Sequence, residues 1–256
     1  FSLLGLRFLL AFAVLAVVFH RPLMRASRRA LRAGCVLGVI FFTTMSLELN
    51  ALVTAPSSTV SFLENLAIVL VPVAGAVLLR RRPSWPVMLA AVMALTLGRG
   101  GVGSFGLGEA LALTAALSYT ASILATKHFV GQGDALAIGI VEIGVMGALG
   151  AVAAFAFEQP TLPAGRAEWG ALAALVVVCT GFGFTLQPVA QQHLSADQAG
   201  LFCALTPLVA GGLGIAVLGE PCDEFTLAGM GLIVAAIVLA SGVLHGPRGR
   251  AEHRWG

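Results

Sequence analysis

Along most of this chain, charged residues are separated by runs of apolar sequence long enough to cross a lipid bilayer. Nine such stretches can be marked: about Phe1 to Phe19, Leu31 to Val53, Pro56 to Leu79, Pro86 to Gly98, Gly106 to Lys127, Ala135 to Phe157, Gly170 to Pro188, Ala199 to Leu218 and Thr226 to Leu244. A hydrocarbon core of about 30 Å takes roughly 20 apolar residues per helix. Lipid offers no partner for an open strand, so each stretch is read as a helix. The joins are short and carry turn residues, as at Thr54-Ala55-Pro56-Ser57 and Glu158-Gln159-Pro160. The chain therefore reads as all-α and polytopic, a membrane protein with nine visible helices. A soluble domain is excluded, because 58% apolar and 11% charged residues leave too little charge for a hydrated surface.

The basic residues test this division independently, since Lys and Arg collect in cytoplasmic loops. Arg21, Arg25, Arg28, Arg29, Arg32, Arg80, Arg81, Arg82, Lys127, Arg248, Arg250 and Arg254 fall on one side, against Arg99 and Arg166 on the other. A span miscounted by one would swap the faces downstream. The split places the C-terminus in the cytoplasm, Phe1 outside, and the protein in the cytoplasmic membrane. The net charge of +3 is used up in that orientation, and a single tyrosine with three tryptophans offers little surface for stacking bases. Nucleic acid is not an expected partner; the lipid bilayer and a small-molecule substrate are.

Cys35, Cys179, Cys203 and Cys222 show neither metal nor redox spacing, the histidines give no metal pair within a span, and no cofactor is expected. Gly101-Val102-Gly103-Ser104-Phe105-Gly106 satisfies a dinucleotide-type glycine pattern. It follows a membrane helix rather than a strand, and so lacks the context that pattern needs.

Repetition is faint but has a definite sense. Ser61 to Pro83 carries a mid-helix proline, Pro72, followed by a basic break. Gly200 to Pro221 does the same around Pro207, followed by an acidic one. The two units point opposite ways, as in an inverted repeat. Their prolines are 135 residues apart, which fits a half of five helices. The expected division is residues 1–103 as the amino-terminal repeat with four of its five helices, 104–246 as the carboxyl-terminal repeat with five, and 247–256 as a cytoplasmic tail.

At this point the residues resemble the EamA-type permeases of the drug/metabolite transporter superfamily, ten-helix carriers built of two inverted five-helix repeats. Phe184-Thr185-Leu186-Gln187-Pro188-Val189-Ala190-Gln191-Gln192, Ser195-Ala196 to Ala199, Leu205-Thr206-Pro207 and Gly219-Glu220 look like that family's eighth and ninth helices. Arg7-Phe8-Leu9-Leu10-Ala11 resembles the start of the second, and Glu64-Asn65-Leu66-Ala67-Ile68-Val69-Leu70-Val71-Pro72 the fourth. Two departures stand out. The first family helix is missing, so a further apolar segment is expected upstream of Phe1, and Arg80-Arg81-Arg82 replaces the Gly-Glu expected after the fourth helix. The resemblance implies secondary transport, commonly export, of a small polar metabolite or amphipathic compound through a cavity between the halves.

An ionisable residue at mid-membrane costs roughly 2.5–3.5 kcal/mol on insertion scales, so it is a functional candidate by default. Arg7, Glu48, Glu64 and Glu142 qualify. Ser57, Ser61, Glu64, Asn65, Ile68 and Pro72 recur at three- and four-residue spacing and lay a polar stripe on one helix face, with Glu64, Asn65 and Ser61 as its centre. Pro72 frees the carbonyl of Ile68 and offers a kink; with Pro207 it is the expected hinge of a rocking motion. Glu48 shares a face with Thr44 and reads either as a cavity residue or as an interfacial carboxylate. Arg7 reads as the ion-pair partner of Glu48 or Glu64, or as a direct substrate contact. Glu142, among Ile140, Val141, Ile143 and Val145, could carry a proton for a proton-coupled carrier, or stay protonated and inert.

Thr114, Ser118 and Ser122 share one face beside Tyr119, which has a ring to stack and a hydroxyl to donate; about half of these hydroxyls are expected to bond only their own helix. Gln187 and Gln191 follow at four-residue spacing near the inner mouth, Gln191 at the interface. Gly34 and Gly38 read as close-packing positions. Two further classes compete with transport: an intramembrane enzyme using Glu48, Glu64 or Glu142 as base, which would need a nucleophile or metal set that the sequence does not supply, and a membrane scaffold with its charges permanently paired.

Overall fold

The computed structural model describes residues 1–55, 60, 63, 64, 67, 70, 71, 74, 106–130 and 134–192. These are helical, with helices α1 (Ser2–Val18), α2 (His20–Arg25), α3 (Arg28–Thr54), α4 (Leu107–Val130), α5 (Ala135–Phe157) and α6 (Arg166–Ala174); α6 runs through a π-helical stretch, Leu175–Phe184, into α7 (Thr185–Gln191). Four of the resulting rods, Arg28–Thr54, Leu107–Val130, Ala135–Phe157 and Arg166–Gln191, are long and apolar enough to cross a membrane. The described positions from 60 to 74 are helical as well. The stretches Pro86–Gly98, Ala199–Leu218 and Thr226–Leu244, and with them Ser61, Asn65, Pro72 and Pro207, lie outside the described residues.

Local chemistry fixes the helix starts. The Ser27 hydroxyl accepts the backbone N–H of Ala30 at the start of α3, and the Asp134 carboxylate accepts those of Leu136 and Ala137 at the start of α5. Asp134→Ala removes the only side-chain cap on α5 and is expected to cost about 1 kcal/mol, read as a lowered midpoint in a thermal unfolding scan of the detergent-extracted protein.

Helix α5 is the hub. It is apolar on all sides, so periodicity alone does not say which face it buries. Its glycines do. A Cβ on Gly147 would lie 2.7 Å from the Leu9 backbone nitrogen, and one on Gly150 would lie 2.9 Å from Gly5 of α1. On the other side, a Cβ on Gly34 or Gly38 of α3 would lie 2.8 Å from the Ile138 or Glu142 carbonyl of α5. Backbone thus rests on backbone along both seams, the close approach that small residues permit where lipid removes any hydrophobic drive for helices to associate. Gly34 and Gly38 serve the packing role expected of them.

The contacts also give the helix directions. Gly108 of α4 meets Thr54 and Ala55 at the end of α3, while Ser118 meets Thr44, so α3 and α4 are antiparallel. Arg21, Arg25, Arg28, Arg29, Arg32 and Lys127 gather at the opposite, basic end, together with the cluster of Ala30, Ala33, Val130 and Ala135. At the other end the Ser2 backbone N–H and hydroxyl both donate to Glu158, tying α1 to the end of α5.

One departure from the sequence reading is the winding of the seventh stretch. A plain helix is expected from Gly170 to Pro188, yet ten residues, Leu175–Phe184, are π-helical. Pro188 explains where the register changes. In an α-helix it would deny a donor to the Phe184 carbonyl and crowd it with its ring, and the wide winding ends at Phe184.

Candidate functional site

Three of the four membrane-depth charges come together. Glu48 projects from α3 and Glu64 from the helix that packs beside α4, where Leu63 lies against Ala51, Ala55 and Ala112. Their carboxyl groups lie within hydrogen-bonding reach of one another. Two carboxyls bond to each other only when one keeps its proton, which would leave the pair a single negative charge. Arg7 of α1 stands within electrostatic reach of Glu48. The cluster therefore draws on three helices, α1, α3 and the one that carries Glu64.

The contact differs from the pairing expected for Arg7. It makes no ion pair within 4.0 Å among the described residues, where the salt bridge found joins the Phe1 amino group to Glu158. Its guanidinium carbon instead stands 4.6 Å from the centroid of the Phe8 ring, and its Nε is buried without a hydrogen-bond partner. The two carboxyls satisfy each other first, leaving the arginine with donors to spare. That is an arrangement suited to receiving an acceptor group from a ligand.

Beneath this centre, on its basic-end side, four aromatic rings cross the bundle edge to face. Phe8 meets Phe184 at 5.3 Å between centroids, Phe184 meets Phe41 at 5.6 Å, and Phe41 meets Tyr119 at 5.8 Å. Phe41 lies seven residues before Glu48 on α3, about 10 Å along the helix. Ser118, beside Tyr119, is held by a cross-helix bond: the buried Thr44 hydroxyl donates to it at 2.8 Å, and it reaches the Ile40 carbonyl at 3.5 Å. Thr114 and Ser122 bond only their own helix. Gln187 is half-buried on α7, away from the charged cluster by more than a helical turn.

Glu142 stands apart. It is 2% exposed, and its Oε2 has no hydrogen-bond partner among the described residues. Gln191, expected at the interface, is 5% exposed, and its Oε1 is also without a partner. Sequence reasoning did not single out Cys179, the rings of Phe8, Phe41 and Phe184, or the buried hydroxyls of Thr180 and Thr185. Aromatic and hydroxyl residues are common in apolar helices, and only the packing distinguishes these.

Helices of membrane-spanning length, stacked backbone to backbone around a cluster of charges, define a multi-pass membrane protein with a polar centre. Residues 106–242 match the model of the EamA-like transporter family. That is more than half of the chain, and the protein belongs to this family, part of the drug/metabolite transporter superfamily. A solved structure described only as a crystal structure of a protein superposes with a TM-score of 0.78 at 19% identity, covering 94% of this chain and 87% of that one. The likeness shows that this chain shares that structure's fold. No curated protein matches it.

Proposed function

We propose that the protein is a secondary transporter that exports a small polar metabolite or amphipathic compound across the cytoplasmic membrane by alternating access, with Arg7, Glu48 and Glu64 as the centre of its substrate site. The observation that carries this reading is the meeting of three ionisable side chains from three spans at membrane depth. Each such charge opposes insertion by roughly 2.5–3.5 kcal/mol, and a structural pairing would have used the arginine. Polar groups of a substrate would engage the charges, and its apolar part the rings of Phe8, Phe41 and Tyr119.

The two units, residues 1–103 and 104–246, are inverted repeats in this reading, and the site lies where they face each other. The basic end is cytoplasmic, as is the C-terminus. Pro72 and Pro207 are the hinges, and Asn65 and Ser61 extend the polar stripe from Glu64 into the cavity. The aromatic layer separates the charged centre from the basic end, so its rings must part for a substrate to pass.

The test is flux. In liposomes holding the full-length protein and preloaded with a panel of labelled amphipathic and polar metabolites, Glu64→Gln is expected to reduce counterflow of the transported compound at least about tenfold, which is about 1.4 kcal/mol of lost interaction. Undiminished flux with unchanged pH dependence would remove Glu64 from the site.

A further inference from the structure

Among the described residues, most hydroxyls inside the spans take the easy bond to a carbonyl one turn back: Thr43, Ser46, Thr114, Thr120 and Ser122 all do so. Thr180, Thr185 and Thr126 do not. They are 0%, 3% and 1% exposed, and their hydroxyl oxygens have no partner, like Glu142 Oε2 and Gln191 Oε1. Thr180 lies further along the π-helical stretch, and the other four groups are not scattered. The Thr185 carbonyl would lie 3.1 Å from a Cβ on Gly139, one turn from Glu142 on α5. Gln191 ends α7, where its carbonyl receives the Lys127 ammonium from α4 at 3.0 Å, next to Thr126 in sequence. From Glu142 through Thr185 to Gln191 and Thr126, unpartnered buried polar atoms therefore step toward the basic end along α5, α7 and α4.

We propose that Glu142 is a second, separate site that binds a proton, loaded from the basic end through a hydrated path along Thr185, Gln191 and Thr126. This rests on the transport reading, for which it supplies the coupling ion. The steps between these side chains are longer than one hydrogen bond, since six residues of helix span about 9 Å. Buried water, which typically makes about three bonds to otherwise unsatisfied groups, fills such steps.

The chemistry selects a proton. A hard metal cation needs about six oxygens around it, while the residues that flank Glu142 on its own helix, Ile140, Val141, Ile143 and Val145, are apolar. Among the described residues no three His, Cys, Asp or Glu side chains gather to hold a metal. The charged and titratable groups on the elements packed against α5 are Arg7 on α1, His20, Arg21 and Arg25 on α2, Arg28, Arg29, Arg32, Cys35 and Glu48 on α3 and Cys179 on the π-helical stretch; those of α2 and the arginines of α3 lie at the basic end, where the path would open. The exchange is a plain protonation: the carboxylate takes a proton from a water of the path and returns it to one.

A lipid-soluble carbodiimide reads the site without any substrate, because it modifies a carboxyl group only in its protonated form. In liposomes of the full chain, mass spectrometry is expected to find Glu142 modified at acid pH, with modification falling as the pH is raised, and Glu142→Gln abolishing that peptide's adduct. In Thr185→Val with Gln191→Leu, the response to a pH jump is expected to slow about tenfold, the cost of one weakened step. Equal modification at every pH would show a permanently protonated, inert group and overturn the proposal. So would no modification at any pH, or an undelayed response in the double variant. None of these outcomes bears on the Glu64 flux experiment, so the two readings fail separately.

Discussion

Gly147→Leu is expected to abolish recovery of folded protein. The first atom of any side chain there would sit 2.7 Å from the Leu9 backbone nitrogen and 2.9 Å from the Phe8 carbonyl carbon, so α1 itself would have to move. Overpacking a core by a few methylenes costs typically 1–3 kcal/mol when side chains can shift. Here the obstacle is backbone, and the displaced helix also carries Arg7 and the Phe8 ring. The measurement is the fraction of detergent-extracted protein that elutes as a monodisperse peak. Gly170→Leu is the control, because a Cβ at that position meets nothing within 4 Å. Equal recovery of both variants would show that α1 does not rest on α5 as described.

Arg7→Met is expected to produce the next largest effect, and a second substitution should reverse part of it. Removing the guanidinium leaves the Glu48–Glu64 pair with its negative charge unopposed inside the membrane. Breaking a buried charge arrangement by deleting one partner costs about 3–5 kcal/mol. Adding Glu48→Gln removes that surplus charge, so the double variant is expected to unfold at a higher temperature than Arg7→Met alone. A coupling of about 1–3 kcal/mol is the range for residues in one network. Transport, by contrast, is expected to be lost in both. A double variant that recovers stability and also transports would make the cluster a structural device and return the substrate site to another part of the bundle. Equal stability of Arg7→Met and the unaltered protein would dissolve the cluster altogether.

The parts of this fold that the sequence made legible are those that depend on one residue and its own helix. The limits of Ala135–Phe157 coincide with the apolar stretch because Asp134 caps one end and Glu158-Gln159-Pro160 stops the other. Gly34 and Gly38 could be assigned to packing because a four-residue spacing of small residues has few other uses in lipid. What stayed hidden depends on the neighbour chosen. A period of 3.6 residues says that Glu64 shares a face with Ser61, but not that its carboxyl bonds to Glu48 instead of Arg7. The π-helical winding was out of reach for a similar reason: Pro188 announces a disturbance, yet whether the helix kinks, breaks or rewinds is settled by what packs against it. Gln191 reads as interfacial by position, and only the packing of α4 and α7 around it makes it buried.

The glycine-lined face of α5 has a mechanical consequence. Along its border with α1, Gly147 and Gly150 raise no side-chain ridge of their own, so main chain touches main chain and the side chains reaching across at these two positions are Leu9 and Leu4 from α1. Interdigitated side chains would act like gear teeth, fixing one register and penalising each notch of slip. A toothless bearing lets one rod glide past another while staying in close touch, and sliding of this kind is one of the recognised ways packed helices rearrange. A machine that opens first to one face of a membrane and then to the other, without leaking in between, would need such a bearing at the joint that moves.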